Sequence, residues 1–388
     1  MNLRRIAFGL LVSVVCLYFV LRDVQWGEVL RHLSEVNILL FLLSMLLMLA
    51  AYFLMTWRWQ FLLAPLQIPS TPDANQPAAN DTQHPQPSSD NQYAVSNIFS
   101  LYAKMLTGYF FNSFLPARAG DLVRAYLLGR STGLRKTTIL ATIVIEKAFD
   151  GIALLLIFLF SLVLLPGVTA QSTGMAPDVL AWLAGLALVL AVGGLVFFYR
   201  FSNLIVRLVE RIFAILPLPR KLERLIVRLI ETFASGMHIF KNPRPLFMAS
   251  LISLVVWFVV AFMFLAALLS FKASFPAAML TIAGIMFMTG LVNLGLLIPA
   301  LPGNVGTYEA LCIAAMAVFA VDKELAVAFA LVFHIGQLIT TIIAGAIAFW
   351  SQNLSLSEIG PVDKKASQEA EQSLDQLEEA YQNAEGKM

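Results

Sequence analysis

Long apolar runs restrict what this chain can fold into more than any other feature of its sequence. A helix needs about 20 mostly apolar residues to cross the hydrocarbon core of a bilayer. Apolar segments follow one another along the 388 residues, at about 6–21, 37–57, 98–115, 137–165, 179–199, 246–270, 276–299, 307–320 and 325–350. Only 13% of the residues are charged, against about a quarter in soluble domains. The sequence therefore predicts an all-α polytopic membrane protein.

Basic residues predict how these segments are oriented, because Lys and Arg near helix ends favour the cytoplasmic side. Five basic residues lie in 118–136 and nine in 200–244, whereas 166–178 has none. The linkers near 271–275 and 321–324 carry one each. The first two stretches are therefore expected in the cytoplasm and the other three outside. This predicts a multi-pass protein of the cell (inner or plasma) membrane, with both termini in the cytoplasm.

Composition divides the chain into a transmembrane domain, 1–354, and an acidic cytoplasmic tail, 355–388. Within the domain, the stretch 66–92 is rich in Pro, Asn, Gln, Ser and Asp, so it is predicted to be a disordered loop insertion. In 200–244, apolar residues recur at helical spacing opposite arginines. This pattern predicts a pair of amphipathic helices on the cytoplasmic membrane face. A cytoplasmic helical hairpin that packs on itself is the alternative.

A Leu-Pro-x-x-x-Gly break occurs twice, at Leu115–Gly120 and at Leu301–Gly306, each time after an apolar run. Proline and glycine interrupt a helix and free backbone groups, which membranes tolerate only inside protein or beside a wet cavity. By the charge count, the first break is entered from the cytoplasm and the second from outside. The pattern predicts a helical bundle with two oppositely oriented re-entrant hairpins. Transporters built on such an inverted repeat place the substrate at the interface between the repeats.

Three charges interrupt the apolar segment 137–165, namely Glu146, Lys147 and Asp150. Glu146 lies roughly 15 Å into the predicted span. A charge at the bilayer centre costs at least about 2.5–3.5 kcal/mol, so it needs a partner and often marks a substrate pathway. These residues are therefore candidate contacts of a substrate head group. A purely structural pair between Lys147 and Asp150 is the alternative.

The first break is flanked by Arg118, Asp121 and Arg124. Because the planar guanidinium matches phosphate geometry, Arg118 is the first candidate for a lipid phosphate contact. Asp121 and Arg124 are candidates of the same kind. Capping of the following helix by Asp121, together with its pairing to Arg124, is the alternative.

Four further candidates lie at the second break and in flanking spans. Asn304 is inside the break, and Glu309 follows it, where Glu309 is expected to cap a helix beginning near Thr307 or to bind a cation or proton. His334 lies in the last span, and an interhelical hydrogen bond is a commoner role for such a residue than a proton relay. Arg58 lies between two tryptophans and is expected to be an interfacial anchor.

Enzyme signatures are absent from the sequence. It shows no metal-ligand spacing, no Gly-x-Ser-x-Gly and no glycine-rich phosphate loop. The chain is therefore expected not to be an enzyme and to need no cofactor or metal. Membrane lipids are the expected partners, and nucleic acid is not.

Three motifs resemble the flippase-like transmembrane family of lysylphosphatidylglycerol synthases. They are Asn112-Ser-Phe-Leu-Pro-Ala-Arg-Ala-Gly-Asp-Leu-Val-Arg-Ala-Tyr126, Glu146-Lys147 with Asp150, and Leu301-Pro-Gly-Asn-Val-Gly-Thr-Tyr-Glu309. The resemblance covers about residues 1–350, and Trp57-Arg58 also fits. It implies two re-entrant hairpins and a role in moving aminoacylated phospholipids or polyprenyl-linked intermediates. The positions it implies are Arg118, Asp121, Arg124, Glu146, Asp150 and Glu309. Lys147 and His334 depart from it, since the family often has arginine there.

These observations favour a lipid flippase or scramblase that moves an anionic, aminoacylated or polyprenyl-phosphate-linked lipid between leaflets. Two alternatives stay open. One is a membrane-embedded transferase acting on polyprenyl-linked sugars, with Glu146 or Asp150 as the base. The other is a non-transporting partner of a lipid-modifying enzyme. The aminoacyl-transfer domain of full-length synthases is not found in the sequence, so the chain is not expected to make the lipid itself. A homodimer is left open.

Overall fold

The computed structural model describes most of the predicted membrane domain. It covers 24–64, 97–165 without 116, 117 and 135, 243–297 without 273 and 274, and 302–352, with Tyr18, Arg22 and isolated residues between 179 and 211. Regular structure in these residues is entirely helical, which confirms the all-α prediction. The predicted loop 66–92, most of the stretch 200–244 and the tail 355–388 lie outside the described residues.

The helices follow in the order α1 Trp26–Ser34, α2 Ile38–Leu63, α3 Ile98–Phe114, α4 Gly120–Thr132, α5 Lys136–Leu164, α6 Pro243–Ser270, α7 Ala277–Leu280, α8 Ile282–Gly295, a 3-10 turn Pro302–Asn304, α9 Thr307–Ala317 and α10 Lys323–Ser351. Among the described residues, α2, α5, α6 and α10 are long and apolar enough to cross a membrane. Their 26 to 29 residues span roughly 39–44 Å at 1.5 Å per residue. The multi-pass prediction is therefore confirmed, while the orientation of the termini stays a prediction.

Short polar side chains fix where several helices begin. Asn37 precedes α2, and its Oδ1 accepts the N–H groups of Leu39 and Leu40 at 3.0 and 3.2 Å. Asn97 does the same for the first residues of α3, at 3.0 and 3.2 Å. Such caps satisfy N–H groups that the first helical turn leaves without a partner. The two helices thus start at defined residues despite their apolar composition.

Both predicted breaks interrupt the helical structure. The first separates α3 from α4 and contains Arg118 with φ of 54°. The second separates α8 from α9 and contains Gly303, Asn304 and Gly306, with φ of 68°, 58° and 84°. Because left-handed backbone is rare for residues other than glycine, both breaks are sharply defined turns. Whether they are re-entrant within a bilayer stays a prediction.

The helix before each break packs on the long helix that follows the other break. Helix α2 packs on α6, α3 packs on α10, and α8 packs on α5. A Cβ on Gly345 of α10 would lie 2.5 Å from the Cβ of Phe110 on α3, and a Cβ on Gly290 of α8 would lie 2.8 Å from that of Phe158 on α5. One glycine in each contact therefore allows the backbones to approach. Helices that flank the two breaks thus pack on each other across the bundle.

Candidate functional site

A cluster of six charged side chains lies inside the bundle, where three helices meet. Its members are Arg58 on α2, Asp121 and Arg124 on α4, and Glu146, Lys147 and Asp150 on α5. Three are acidic and three are basic, so the ion cluster is formally neutral. All six are among the residues predicted from the sequence to contact a substrate, and the structure brings them together.

Arg58 is a fully buried member of the ion cluster, with no exposed side-chain surface. Its Nη1 and Nη2 donate to Asp150 at 2.5 and 3.2 Å, and Nη1 also donates to Ser253 on α6 at 2.9 Å. Glu146 lies 3.6 Å from Nη2. The prediction that Arg58 is an interfacial anchor is therefore wrong. Successive helical residues point about 100° apart, so its neighbour Trp57 faces outward while Arg58 faces the interior.

Glu146 occupies the centre of the ion cluster. Arg124 donates to it at 3.1 Å and Lys147 at 3.2 Å. Arg124 also lies over the ring of Trp59, 4.4 Å from its centroid, which adds a cation–π contact. Lys147 is 3.9 Å from Asp150. The alternative of a simple Lys147–Asp150 pair is thus not what the structure shows, because each of these residues has a closer partner.

One side of the ion cluster is open. The side chains of Lys147 and Asp121 are 29% and 19% exposed, whereas Glu146 is fully buried. Asp121 is 4.0 Å from Arg124, and no cap hydrogen bond from its side chain is found at the described start of α4. Instead, Asn112 accepts the N–H of Gly120 at 2.8 Å. The expected pairing of Asp121 is therefore loose, and its expected capping role falls to Asn112.

Two donors of the ion cluster have no partner in the described part of the chain. They are the Nε atoms of Arg58 and Arg124, both buried. A buried donor left without an acceptor costs about 1–3 kcal/mol. Arg58 and Arg124, which bind the carboxylates of the ion cluster, can therefore each donate to one further acceptor.

A second polar group forms at the other break. Glu309 Oε2 accepts the N–H of Gly306 at 2.7 Å, and its Oε1 lies 2.7 Å from His334 Nδ1. His334 Nε2 lies 2.9 Å from the carbonyl oxygen of Gly303, and Tyr308 stacks on the imidazole at 4.3 Å. The predicted capping by Glu309 and the predicted interhelical bond of His334 are both present. They connect the break to α10.

The two breaks touch each other. Arg118 Nη2 donates to the carbonyl of Leu296, at the end of α8, at 2.8 Å. A Cβ on Gly303 would lie 3.4 Å from the carbonyl oxygen of Ser113, at the end of α3. Arg118 is exposed and directed at the backbone of the second break, and the structure does not test its predicted phosphate contact. Asn304 lies in the 3-10 turn of that break, with no ligand role shown.

Sequence reasoning missed several groups of this region. Four side chains contact groups of the site without having been predicted to do so. Trp59 lies under Arg124, Ser253 accepts from Arg58, Asn112 accepts the N–H of Gly120, and Tyr308 stacks on His334. A signal existed for Trp59, which adjoins Arg58 in the sequence. None existed for Ser253, because it reaches Arg58 only through the packing of α6 on α2.

A polar cleft of about 680 Å³ was also not predicted. It lies between α1 and the start of α10 and is lined by Gln25, Glu28, Arg31, His32, Glu35, Lys272, Asp322, Glu324 and Leu325. Arg31 Nε donates to Glu28 at 2.8 Å. This bond and the charge of Glu28 raise the pKa of Arg31. By the predicted topology, the cleft opens outside.

The fold and the ion cluster define a multi-pass membrane protein with a neutral, partly open charge cluster inside its helical bundle. The family described as the lysylphosphatidylglycerol synthase TM region matches residues 6–345. The chain belongs to this family, as its motifs suggested, and it is a membrane protein related to lipid chemistry.

A relative with an enzyme name corrects one expectation. Glycosyltransferase AglD of Haloferax volcanii is 29% identical over 283 residues, which cover 66% of this chain and 44% of that protein. The chain thus spans less than half of that relative's length. No solved structure matches the chain significantly. The prediction that the chain is not an enzyme is contradicted by this relative. The prediction used short sequence motifs typical of soluble enzymes. The carboxylates of this chain lie beside arginines that are far away in the sequence, so such motifs do not detect them.

Proposed function

We propose that this chain moves an anionic lipid between the leaflets of the membrane. The head group passes through the ion cluster while the acyl chains stay in the bilayer. The observation that carries the proposal is the neutral cluster itself, with a partly exposed lysine and two arginine donors that lack acceptors among the described residues. A phosphate offers several acceptor oxygens to such groups, and arginine binds it in a bidentate fashion.

Exchange of partners makes passage of the head group energetically feasible. Removing one partner of a buried ion pair costs about 3–5 kcal/mol, because a charge is left uncompensated. In this ion cluster, Glu146 contacts three basic side chains and Arg58 contacts two acids. A phosphate entering beside Lys147 therefore replaces a carboxylate on a basic group, while the displaced carboxylate keeps another partner.

The proposal includes two re-entrant hairpins related as an inverted repeat. In support, the helices α3, α4 and α5 around the first break correspond to α8, α9 and α10 around the second. In each set the middle helix packs on the two others. Between the sets, α3 packs on α10 and α8 packs on α5. Arg118 joins the two breaks directly. Transporters with this construction hold their substrate where the repeats meet, which is where the ion cluster and the breaks adjoin.

Leaflet exchange in liposomes tests the proposal. Purified protein is reconstituted with fluorescently labelled phosphatidylglycerol, and a membrane-impermeant quencher reports the labelled lipid that reaches the outer leaflet. We expect faster exchange than in protein-free liposomes, and a loss of about tenfold or more in Arg124→Gln if at least 1.4 kcal/mol of head-group binding disappears. Arg31→Gln, on the exposed face of α1, is the control. No acceleration for any anionic phospholipid or polyprenyl phosphate would refute the proposal.

A second candidate is sugar transfer from a polyprenyl-linked donor, which the name of the relative favours. Glu146 or Asp150 would then accept the proton of the acceptor hydroxyl as its oxygen attacks the anomeric carbon of the sugar, and the polyprenyl phosphate would leave. Formation of a glycosylated product by the isolated protein, abolished in Glu146→Gln, would establish this activity. A chain that neither exchanges lipid nor forms product, but co-purifies with a lipid-modifying enzyme, would instead be a partner of that enzyme.

A further inference from the structure

The contacts of His334 fix how many protons its site must hold. Nε2 faces the carbonyl oxygen of Gly303 at 2.9 Å, and a carbonyl can only accept, so Nε2 carries a hydrogen. Nδ1 faces Oε1 of Glu309 at 2.7 Å. That contact is a hydrogen bond only if one more proton lies between the two atoms. The arrangement therefore holds two protons on the pair, one on Nε2 and one shared with Glu309.

Loss of the shared proton breaks one of the two contacts. If the remaining proton stays on Nε2, the lone pair of Nδ1 faces the carboxylate oxygen at hydrogen-bond distance and repels it. If it moves to Nδ1, the lone pair of Nε2 faces the Gly303 carbonyl instead. Either way, α10 loses a bond to the second break or to α9, and the released proton passes to water.

Each member of the pair also holds one end of the second break in its observed shape. Gly303, Asn304 and Gly306 all have left-handed backbone, which needs support from neighbouring groups. Glu309 holds the N–H of Gly306, and His334 holds the carbonyl of Gly303. The proton count of the pair thus decides whether His334 keeps both its bond to Gly303 and its bond to the carboxylate that caps Gly306.

We propose that Glu309 and His334 form a binding site for one exchangeable proton, and that release of this proton unlocks the second break. The inference rests on the proposed function and deepens it, because it assigns the proton as the ligand that controls movement of the second hairpin. Histidine is suited to this role, since it changes charge between about pH 5 and 8.

The groups around Glu309 and His334 decide whether another charge could hold the proton. The neighbouring titratable groups are Tyr308, whose ring stacks on His334, and Cys312, one turn further along α9. Within the described parts of α1, α2, α3 and α8, the helices packed on α9 and α10, no charged side chain pairs with Glu309 or His334. The proton is therefore not held by an outside charge.

Polar groups continue from the pair toward the ion cluster. Gln337 lies one turn after His334 and donates to the Tyr308 hydroxyl at 2.8 Å. Thr341 lies one turn further and shares a hydrogen bond of 3.3 Å with Tyr52 on α2. Helix α2 also carries Arg58. Along α10, side chains thus connect the proton site to the helix that carries Arg58.

Histidine NMR tests the proton site independently of transport. The chain has four histidines, and the full protein is labelled with 15N-histidine in lipid nanodiscs, with His334→Gln assigning the resonance. We expect His334 to carry protons on both nitrogens at acid pH and to lose one as the pH is raised. In Glu309→Gln the neutral amide no longer stabilises a second proton on the imidazole, so His334 should lose that proton at a lower pH than in the wild type. A protonation state that is constant with pH, or unchanged by Glu309→Gln, overturns the inference.

Leaflet exchange separates this inference from the proposed function. We expect wild-type exchange to change by at least about tenfold across pH 5 to 8, as a one-proton equilibrium allows. His334→Gln, whose amide keeps hydrogen bonds without titrating, should exchange lipid at a rate independent of pH. Glu309→Gln should shift the pH dependence to lower pH, and the control His32→Gln should behave as wild type. Exchange in wild type without pH dependence refutes the proton site alone. Titration of His334 without exchange of any lipid refutes the proposed function alone.

Discussion

The guanidinium of Arg58 donates to both oxygens of Asp150 and to Ser253 from a fully buried position. Arg58 is needed for folding because Asp150 would otherwise be a buried charge with only the distant Lys147 as partner. It is needed for function, in the proposed scheme, because its Nε has no acceptor in the part of the chain that the structure describes. Experiment can separate the two roles. Apolar residues in place of both Arg58 and Asp150 should allow folding but cannot bind a phosphate.

Single substitutions in this pair should destabilise the protein, and the double substitution should not. Among the described residues, Asp150→Leu leaves Arg58 with only Glu146 as an acidic partner, at 3.6 Å, and Arg58→Met leaves Asp150 with only Lys147 as a basic partner, at 3.9 Å. Each single substitution is therefore expected to cost up to about 3–5 kcal/mol, whereas apolar replacement of both partners is often neutral. Thermal unfolding of the purified protein in detergent measures this. Equal melting temperatures for the double variant and for the single variants would show that the ion pair is not the reason for the loss.

Residues differ in how far the sequence predicted them. Glu146, Lys147 and Asp150 were recognisable because charge inside an apolar run is costly and needs an explanation. Arg58 was misassigned, since two adjacent tryptophans indicate an interface and nothing local reveals Asp150 on another helix. Glu309 was predicted with two alternative roles, and the structure shows the cap and the histidine contact at once, because its two carboxylate oxygens serve different partners.

At the scale of helices, two glycines set the distances between packed helices. Gly290 lets α8 approach Phe158 on α5, and Gly345 lets α10 approach Phe110 on α3. The long apolar helices were predictable from hydropathy, and the breaks from proline and glycine. Helix α1 was not, because nine residues of mixed polarity carry no membrane signal. The pairing of α3 with α10 depends on contacts far apart in the sequence and could not be read from either helix.

Alanine substitution tests whether these close contacts matter. In Gly290→Ala the new Cβ meets the backbone and Cβ of Phe158, so overpacking of about 1–3 kcal/mol is expected. Gly151→Ala, on α5 with no atom within 4 Å of the new Cβ, is the matched control and should be neutral or slightly stabilising. Melting temperatures of the two variants in the same detergent provide the comparison. A Gly290→Ala protein as stable as Gly151→Ala would mean that α8 and α5 pack less closely.

For the whole molecule, the inverted repeat predicts opposite accessibility of the two breaks. Single cysteines replace Ala119 at the first break and Val305 at the second, in a chain with Cys16 and Cys312 changed to alanine. A membrane-impermeant maleimide should label position 119 only from the cytoplasmic side, because 118–136 is rich in basic residues. It should label position 305 only from outside.

Vesicles of both orientations provide the two sides for this labelling. Labelling of both positions from one side would contradict two oppositely oriented hairpins, although it would leave the ion cluster intact. The packing of α3 on α10 and of α8 on α5 would then require another explanation.

The central claim is that a lipid head group passes through the ion cluster, and the Arg58→Met/Asp150→Leu double variant tests it most directly. Its leaflet exchange of labelled phosphatidylglycerol is measured in liposomes beside wild type, at matched reconstitution and after folding is verified by its melting temperature. The account predicts a folded protein whose exchange is slower than that of wild type by about tenfold or more, since a phosphate-binding arginine worth at least 1.4 kcal/mol is gone. Exchange at the wild-type rate would contradict it.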